Sequence, residues 1–192
     1  LLAMGNVHLA KRQFDKAREA FAAGSALAPP RSAERLRYAE FELQMGELGN
    51  AREALEKFTA EVSDYIPGWM LFAQLAVKEQ RFSEASEHLE NIFRRDPGYI
   101  FGRLLKAQIQ MTDGEPEEAL DELKRLRELY PKSPVTELYL AKAYLWNAIP
   151  SQARAALNRA IGLQPDYREA IILLAQLDLR AGNPEPVVTS ME

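Results

Sequence analysis

The sequence of 192 residues contains no cysteine, so it can form neither a disulfide framework nor a metal site built on thiolates. No stretch approaches the roughly 18 consecutive apolar residues that a membrane-spanning helix requires. The net charge of −4 also lacks the basic excess that nucleic-acid-binding proteins usually carry. These absences predict a chain with no membrane span and no nucleic-acid partner, and they leave its compartment open.

Signals of catalysis are also sparse. The two histidines, His8 and His88, lie far apart in the sequence, and neither has an acidic neighbour at the spacing of a metal site. Gly98 and Gly102 are isolated, so the sequence shows no glycine-rich loop of the kind that cradles phosphate. We therefore predict that the chain is not an enzyme and that it binds neither a cofactor nor a metal ion.

A period of 34 residues organises the chain. Alanine recurs at this interval without insertion or deletion, at Ala17, Ala51, Ala85, Ala119 and Ala153. A repeat of this length is typical of stacked helical hairpins, in which small residues stand where two helices cross closely. Such a chain has no single central core, because each hairpin buries its apolar face against its neighbours.

Apolar residues at helical spacing predict two helices in each period, separated by a short polar turn. Proline recurs just after the second helix and at the first turn of several second helices, where its missing N–H costs no hydrogen bond. Glycine recurs two residues before that first turn, at Gly46, Gly114 and Gly182. The predicted helices are 1–10, 14–27, 32–45, 48–62, 66–79, 82–95, 100–112, 116–129, 134–147, 150–163 and 168–181, followed by a turn at 182–184 and an unfinished helix over 185–192.

These features carry a resemblance to a known family. The third copy has a characteristic set of residues at Trp69, Phe72, Ala73, Ala85, Leu89 and Pro97. The chain resembles the tetratricopeptide repeat family, whose 34-residue unit has the pattern W-x₂-L-G-x₂-Y…A-x₃-F…P. The copies depart from the pattern in places, for instance at His8, where the family has tyrosine, and at Ser63, where it has the closing proline.

The resemblance covers the whole chain as one array, with repeats at about 1–31, 32–65, 66–99, 100–133, 134–167 and a partial repeat at 168–192. It implies an all-α fold, a right-handed α-solenoid of antiparallel helix pairs. The chain starts within a helical pattern and without a start methionine, so we expect it to be a fragment of a longer protein.

The resemblance also implies a concave groove lined by the first helix of each repeat. Two apolar rows fall there, and between them runs a row of polar residues in which four of the six are amides. Amide side chains can both donate to and accept from the backbone of an extended peptide. We predict that a protein or peptide partner contacts Asn6, Glu40, Met70, Gln74, Leu104, Gln108, Met111, Leu138, Lys142, Trp146 and Gln176.

Structural interpretations of the same residues stay open at this point. The apolar rows can instead pack neighbouring first helices together, and the amide row can be a solvated stripe. Trp146 can be a hot spot for a partner or a cap on the packing of the fifth repeat, whereas Trp69 stands at the tryptophan position of the family and is expected in the core.

The most specific expectation is therefore a non-catalytic scaffold for protein–protein interaction. Chaperone-binding members of the family hold a terminal carboxylate with a groove lysine, but leucine or methionine occupies that position here, at Leu2, Leu36 and Met70. That function is not expected. Two alternatives remain: a self-associating assembly arm of a bacterial secretion or exopolysaccharide-export system, or the non-catalytic region of a larger enzyme or sensor.

Overall fold

The computed structural model describes residues 1–181, and these residues are almost entirely helical. Within that range there are eleven α-helices and no strand, as the sequence predicts. The predicted turn at 182–184 and the predicted helix over 185–192 lie outside the described residues. The helices are α1 (Leu2–Ala10), α2 (Phe14–Leu27), α3 (Ala33–Met45), α4 (Leu48–Glu61), α5 (Ile66–Lys78), α6 (Phe82–Phe93), α7 (Ile100–Thr112), α8 (Pro116–Leu129), α9 (Pro134–Trp146), α10 (Pro150–Leu163) and α11 (Arg168–Arg180).

Local sequence signals explain where these helices begin and end. The Ser32 hydroxyl accepts a hydrogen bond from the Arg35 amide (3.3 Å) and caps the start of α3. Pro116, Pro134 and Pro150 occupy the first helical positions of α8, α9 and α10, where no backbone N–H is needed. Most predicted helix ends agree with the structure to within one residue, and α6 ends two residues early, at Phe93.

The turn inside each hairpin has the same left-handed backbone conformation. Five residues spaced 34 apart have a positive φ: Arg12 (57°), Gly46 (83°), Gln80 (61°), Gly114 (90°) and Ala148 (56°). In each turn the amide of the next residue donates to a carbonyl five residues back, with N···O distances of 2.8–2.9 Å, the bond that closes a Schellman motif. The repeat therefore fixes the turn geometry even where glycine is absent.

The chain divides into two compact units, Leu1–Gly102 and a second unit that begins at Arg103. In the first unit, consecutive helices from α1 to α6 pack against each other. In the second, α8 packs on α9, α9 on α10, and α10 on α11. The five alanines that mark the period are fully buried, as expected for close helix crossings. Each unit is thus a segment of an α-solenoid.

Ion pairs between a partly exposed arginine and a buried carboxylate join neighbouring hairpins at the same register in both units. In the first unit, the fully buried Glu42 of α3 accepts from Arg18 Nε of α2 (2.6 Å) and from Asn50 Nδ2 of α4 (3.1 Å). In the second, the buried Asp178 of α11 pairs with Arg154 of α10. Because a buried carboxylate without a partner is costly, these pairs hold consecutive hairpins in register.

Candidate functional site

A cavity of about 420 Å³ lies between α7 and α9 in the second unit. Helix α7 contributes Gln108, Met111 and Thr112, and helix α9 contributes the residues 34 positions later, which are Lys142, Leu145 and Trp146. On each helix these three positions are spaced i, i+3 and i+4, so they share one face. The sequence predicted Gln108, Met111, Lys142 and Trp146 as partner-binding residues, and the structure brings these four together.

A polar network runs along one side of this cavity. The Tyr139 hydroxyl donates to Gln108 Oε1 (3.4 Å). The amide nitrogen of Gln108 has no hydrogen-bond partner in the described part of the chain. Lys142 Nζ donates to Glu169 Oε1 of α11 (2.7 Å) and lies 4.9 Å from the centroid of the Tyr139 ring. Burial raises the pKa of the Tyr139 phenol, against the opposing effect of the Lys142 ammonium, so the hydroxyl keeps its proton at neutral pH.

The other side of the cavity is apolar and accessible. Trp146 is 58% exposed, although it stands at the end of α9 beside Leu145. A tryptophan that caps the packing of a repeat is mostly covered by its own chain, so this exposure argues against the packing interpretation. Met111 is almost fully buried and lies at the base of the cavity. Thr112 and Leu145 complete the lining, although neither was among the predicted contact residues.

Two of the predicted contact residues are buried in the hydrophobic core. Leu104 is 2% exposed and Leu138 is fully buried, so their side chains are covered by the protein itself. They occupy the apolar row that also includes the buried Leu36 of the first unit. This burial favours the packing interpretation for these two positions. Gln176 is exposed on α11 but does not line the cavity.

The predicted residues of the first unit form a more open surface. Asn6 and Gln74 are exposed, and Met70 is partly buried. Glu40 Oε2 accepts from Arg37 Nη1 (2.8 Å), so this carboxylate already has a partner. A cavity of about 350 Å³ in this unit is lined by other residues of α2, α3 and α4, such as Ala22 and Ala54, which the sequence did not indicate. The prediction for the first unit stays a prediction.

The environment of His88 differs from the one expected. The sequence interpretation found no acid near either histidine at ligand spacing, but His88 Nε2 lies 3.5 Å from Glu84 Oε1, one helical turn away. The imidazole stacks on Phe72, with ring centroids 4.0 Å apart, and lies close to Trp69 (5.6 Å). Burial lowers the pKa of His88 despite the neighbouring carboxylate. The imidazole is therefore uncharged at neutral pH and packs as one ring of this aromatic cluster.

Trp69 belongs to the same cluster and is fixed by a hydrogen bond. Its indole Nε1 donates to the Ser63 carbonyl oxygen (2.6 Å), and its ring stacks on Phe72 at 6.4 Å. Between residues 1 and 181 no three histidine, aspartate or glutamate side chains come together as metal ligands would. None of the helices in that range is long and apolar enough to cross a membrane.

Comparison with known families agrees with the fold. Two family models, both described as tetratricopeptide repeat, match the chain, one over residues 2–66 and the other over residues 76–141 and 110–177. The matches cover most of the sequence, so the chain belongs to the tetratricopeptide repeat family. Proteins of this family are generally non-catalytic scaffolds for protein interaction. No curated protein matches the sequence.

Solved structures show the same fold at low sequence identity. A thermophilic tetratricopeptide repeat protein of Thermus thermophilus is 23% identical, with a TM-score of 0.76 over 93% of this chain and 97% of that one. A tetratricopeptide repeat protein from Parabacteroides merdae is 14% identical, with a TM-score of 0.84 over 98% and 74%. YrrB, described as having an unusual peptide-binding site, is 15% identical, with a TM-score of 0.58 over 90% and 89%.

Proposed function

We propose that this chain is a non-catalytic scaffold that binds an extended segment of another protein, and that the cavity between α7 and α9 is one of its contact points. The observation that carries the proposal is the juxtaposition of the exposed Trp146 with the amide of Gln108 and the ammonium of Lys142 around one cavity. An aromatic anchor beside a few convergent polar groups is the usual composition of a binding hot spot.

The polar groups suit a peptide backbone. The amide nitrogen of Gln108 can donate to a peptide carbonyl, and the partly exposed Leu145 offers apolar surface to a side chain of the same segment. YrrB, which shares the fold, is described as having a peptide-binding site, so the fold accommodates this class of ligand. The exposed Gln74 in the first unit is the corresponding amide there and extends the proposal to that unit.

Selection of a randomised displayed peptide library on the chain tests this function. Peptides that bind the chain should lose affinity for the Gln108→Ala variant, and for Gln74→Ala if the ligand also contacts the first unit. Gln152→Ala is a matched control, because Gln152 is an exposed glutamine on α10 outside the cavity. An unchanged affinity for both Gln108→Ala and Gln74→Ala would contradict the proposal, as would a library that yields no binder.

A further inference from the structure

The groups around the α7–α9 cavity are complementary to hydrogen-bond acceptors. The N–H donors among the lining side chains are the amide nitrogen of Gln108, the ammonium of Lys142, which also donates to Glu169, and the indole nitrogen of Trp146. The hydroxyl of Thr112 already donates to the backbone carbonyl oxygen of Gln108 (3.1 Å). No carboxylate is among the six lining residues. A ligand therefore gains most by supplying acceptor oxygens.

The only charged group among the lining residues is the ammonium of Lys142, and its ion-pair partner is exposed to water. Lys142 is the charged residue of the lining, and its contact with Glu169 reaches across from α11. The Glu169 side chain is 57% exposed, and ion pairs so open to water contribute little. An incoming carboxylate can exchange with Glu169 at small cost.

The spacing of charge and apolar surface restricts the ligand further. Lys142 and Trp146 are four residues apart on α9, which separates them by about 6 Å along the helix axis. In an extended chain, side chains two residues apart point the same way and are about 6.6 Å apart. A ligand segment that runs along α9 in an extended conformation would therefore match Lys142 and Trp146 with an acidic residue and a large apolar residue that are separated by one residue.

Resting on the function proposed above, we propose that the α7–α9 cavity recognises an internal segment with an aspartate or glutamate two positions from a large apolar residue, and that Glu169 occupies the place of the ligand carboxylate at Lys142 in the free protein. Lys142 then sets the preference for acidic ligands, and Glu169 acts as a built-in competitor. The two residues have opposite effects on binding although they belong to one ion pair.

The test is parallel selection of one random peptide library, displayed without a free C-terminus, on the wild-type chain and on the Lys142→Gln and Glu169→Gln variants. On the wild type, we expect the acidic residue two positions from an apolar one to be enriched about fivefold. Lys142→Gln should abolish this enrichment, and an acidic peptide selected on the wild type should bind Glu169→Gln about threefold more tightly. Lys124→Gln and Asp121→Asn alter an exposed pair outside the cavity (3.2 Å) and should change neither result.

Synthetic versions of a selected peptide distinguish the two sources of a carboxylate. A peptide with an amidated C-terminus should keep its affinity, whereas replacing its internal acid by the matching amide should weaken binding about fivefold. Binding that depends on a free C-terminal carboxylate instead would overturn the proposal. Enriched peptides without acidic residues, or an acid preference that survives Lys142→Gln, would overturn it and leave the function above intact. If no peptide is enriched on any variant, both proposals fail.

Discussion

Replacing Trp146 with alanine should weaken ligand binding in a chain that still folds. The side chain is 58% exposed, so roughly 105 Å² of a surface of about 250 Å² is covered by the chain itself. At about 25 cal/mol per Å², we expect the free energy of unfolding to fall by at most about 2.6 kcal/mol. The loss of binding should appear in the affinity for peptides selected on the wild-type chain, because those ligands would cover the indole.

The size of the loss follows from the exposed area. A tryptophan side chain has up to about 250 Å² of surface, and the 58% that is exposed here leaves roughly 145 Å² for a partner. At about 25 cal/mol per Å², covering all of it is worth at most about 3.6 kcal/mol. Incomplete cover and the ordering of ligand side chains reduce this to about 2 kcal/mol, or roughly a 30-fold increase in Kd.

Calorimetric titration of the wild type and of Trp146→Ala with the same selected peptide measures this change. Leu129→Ala is the matched control, because Leu129 is 67% exposed in the same unit but does not line the cavity. A Kd that is unchanged in Trp146→Ala, or that rises equally in Leu129→Ala, would refute the assignment. A loss of unfolding free energy well above about 2.6 kcal/mol in Trp146→Ala would refute the premise that more than half of the side chain is exposed.

Three further predictions concern the scaffold. Ala148→Gly should raise the urea midpoint by the equivalent of about 0.5–1 kcal/mol, because Ala148 has a φ of 56°, which favours glycine; a lower midpoint would contradict this. Arg18→Ala should cost about 2–3 kcal/mol of unfolding free energy in the same assay, because the fully buried Glu42 keeps only the bond from Asn50; a loss below about 0.5 kcal/mol would show that the pair is not structural. Burial lowers the pKa of His88, so the unfolded state binds its proton more tightly and stability should fall as the pH drops from about 6.5 towards the His88 pKa. Urea denaturation between about pH 7 and pH 5 should show that slope, and His88→Gln should flatten it; an unaltered slope would refute the linkage.

Much of the fold could be predicted because most repeats contain residues that mark the ends of their helices. Proline at the first helical position and glycine at the turn located the helix ends, and the 34-residue period aligned copies that are weak one by one. The period also brought Gln108 and Lys142 to equivalent positions on α7 and α9, which is why two predicted contact residues from different repeats meet at one cavity.

The remaining features depend on three-dimensional neighbours. Leu104 and Leu138 have the same apolar character and the same register as a groove residue, and only the covering side chains show that they are buried. The left-handed turn at Ala148 has no glycine to indicate it, and only its position 34 residues after Gly114 does so; hairpin packing imposes a conformation that alanine does not favour. The contact between Glu84 and His88 has the ordinary i, i+4 spacing of a helix surface. Only the structure shows that the His88 ring is stacked on Phe72 in a buried aromatic cluster.

The most direct test of the proposed function uses Trp146 itself as the reporter. The chain has two tryptophans, so Trp69→Phe leaves Trp146 as the sole indole, while phenylalanine retains a ring for the stack on Phe72. Titration of this variant with the tightest peptide from the unbiased library should shift the emission maximum to shorter wavelength as the indole is covered. Saturable binding with an unchanged emission maximum would contradict the proposal that the α7–α9 cavity is where this chain holds its partner.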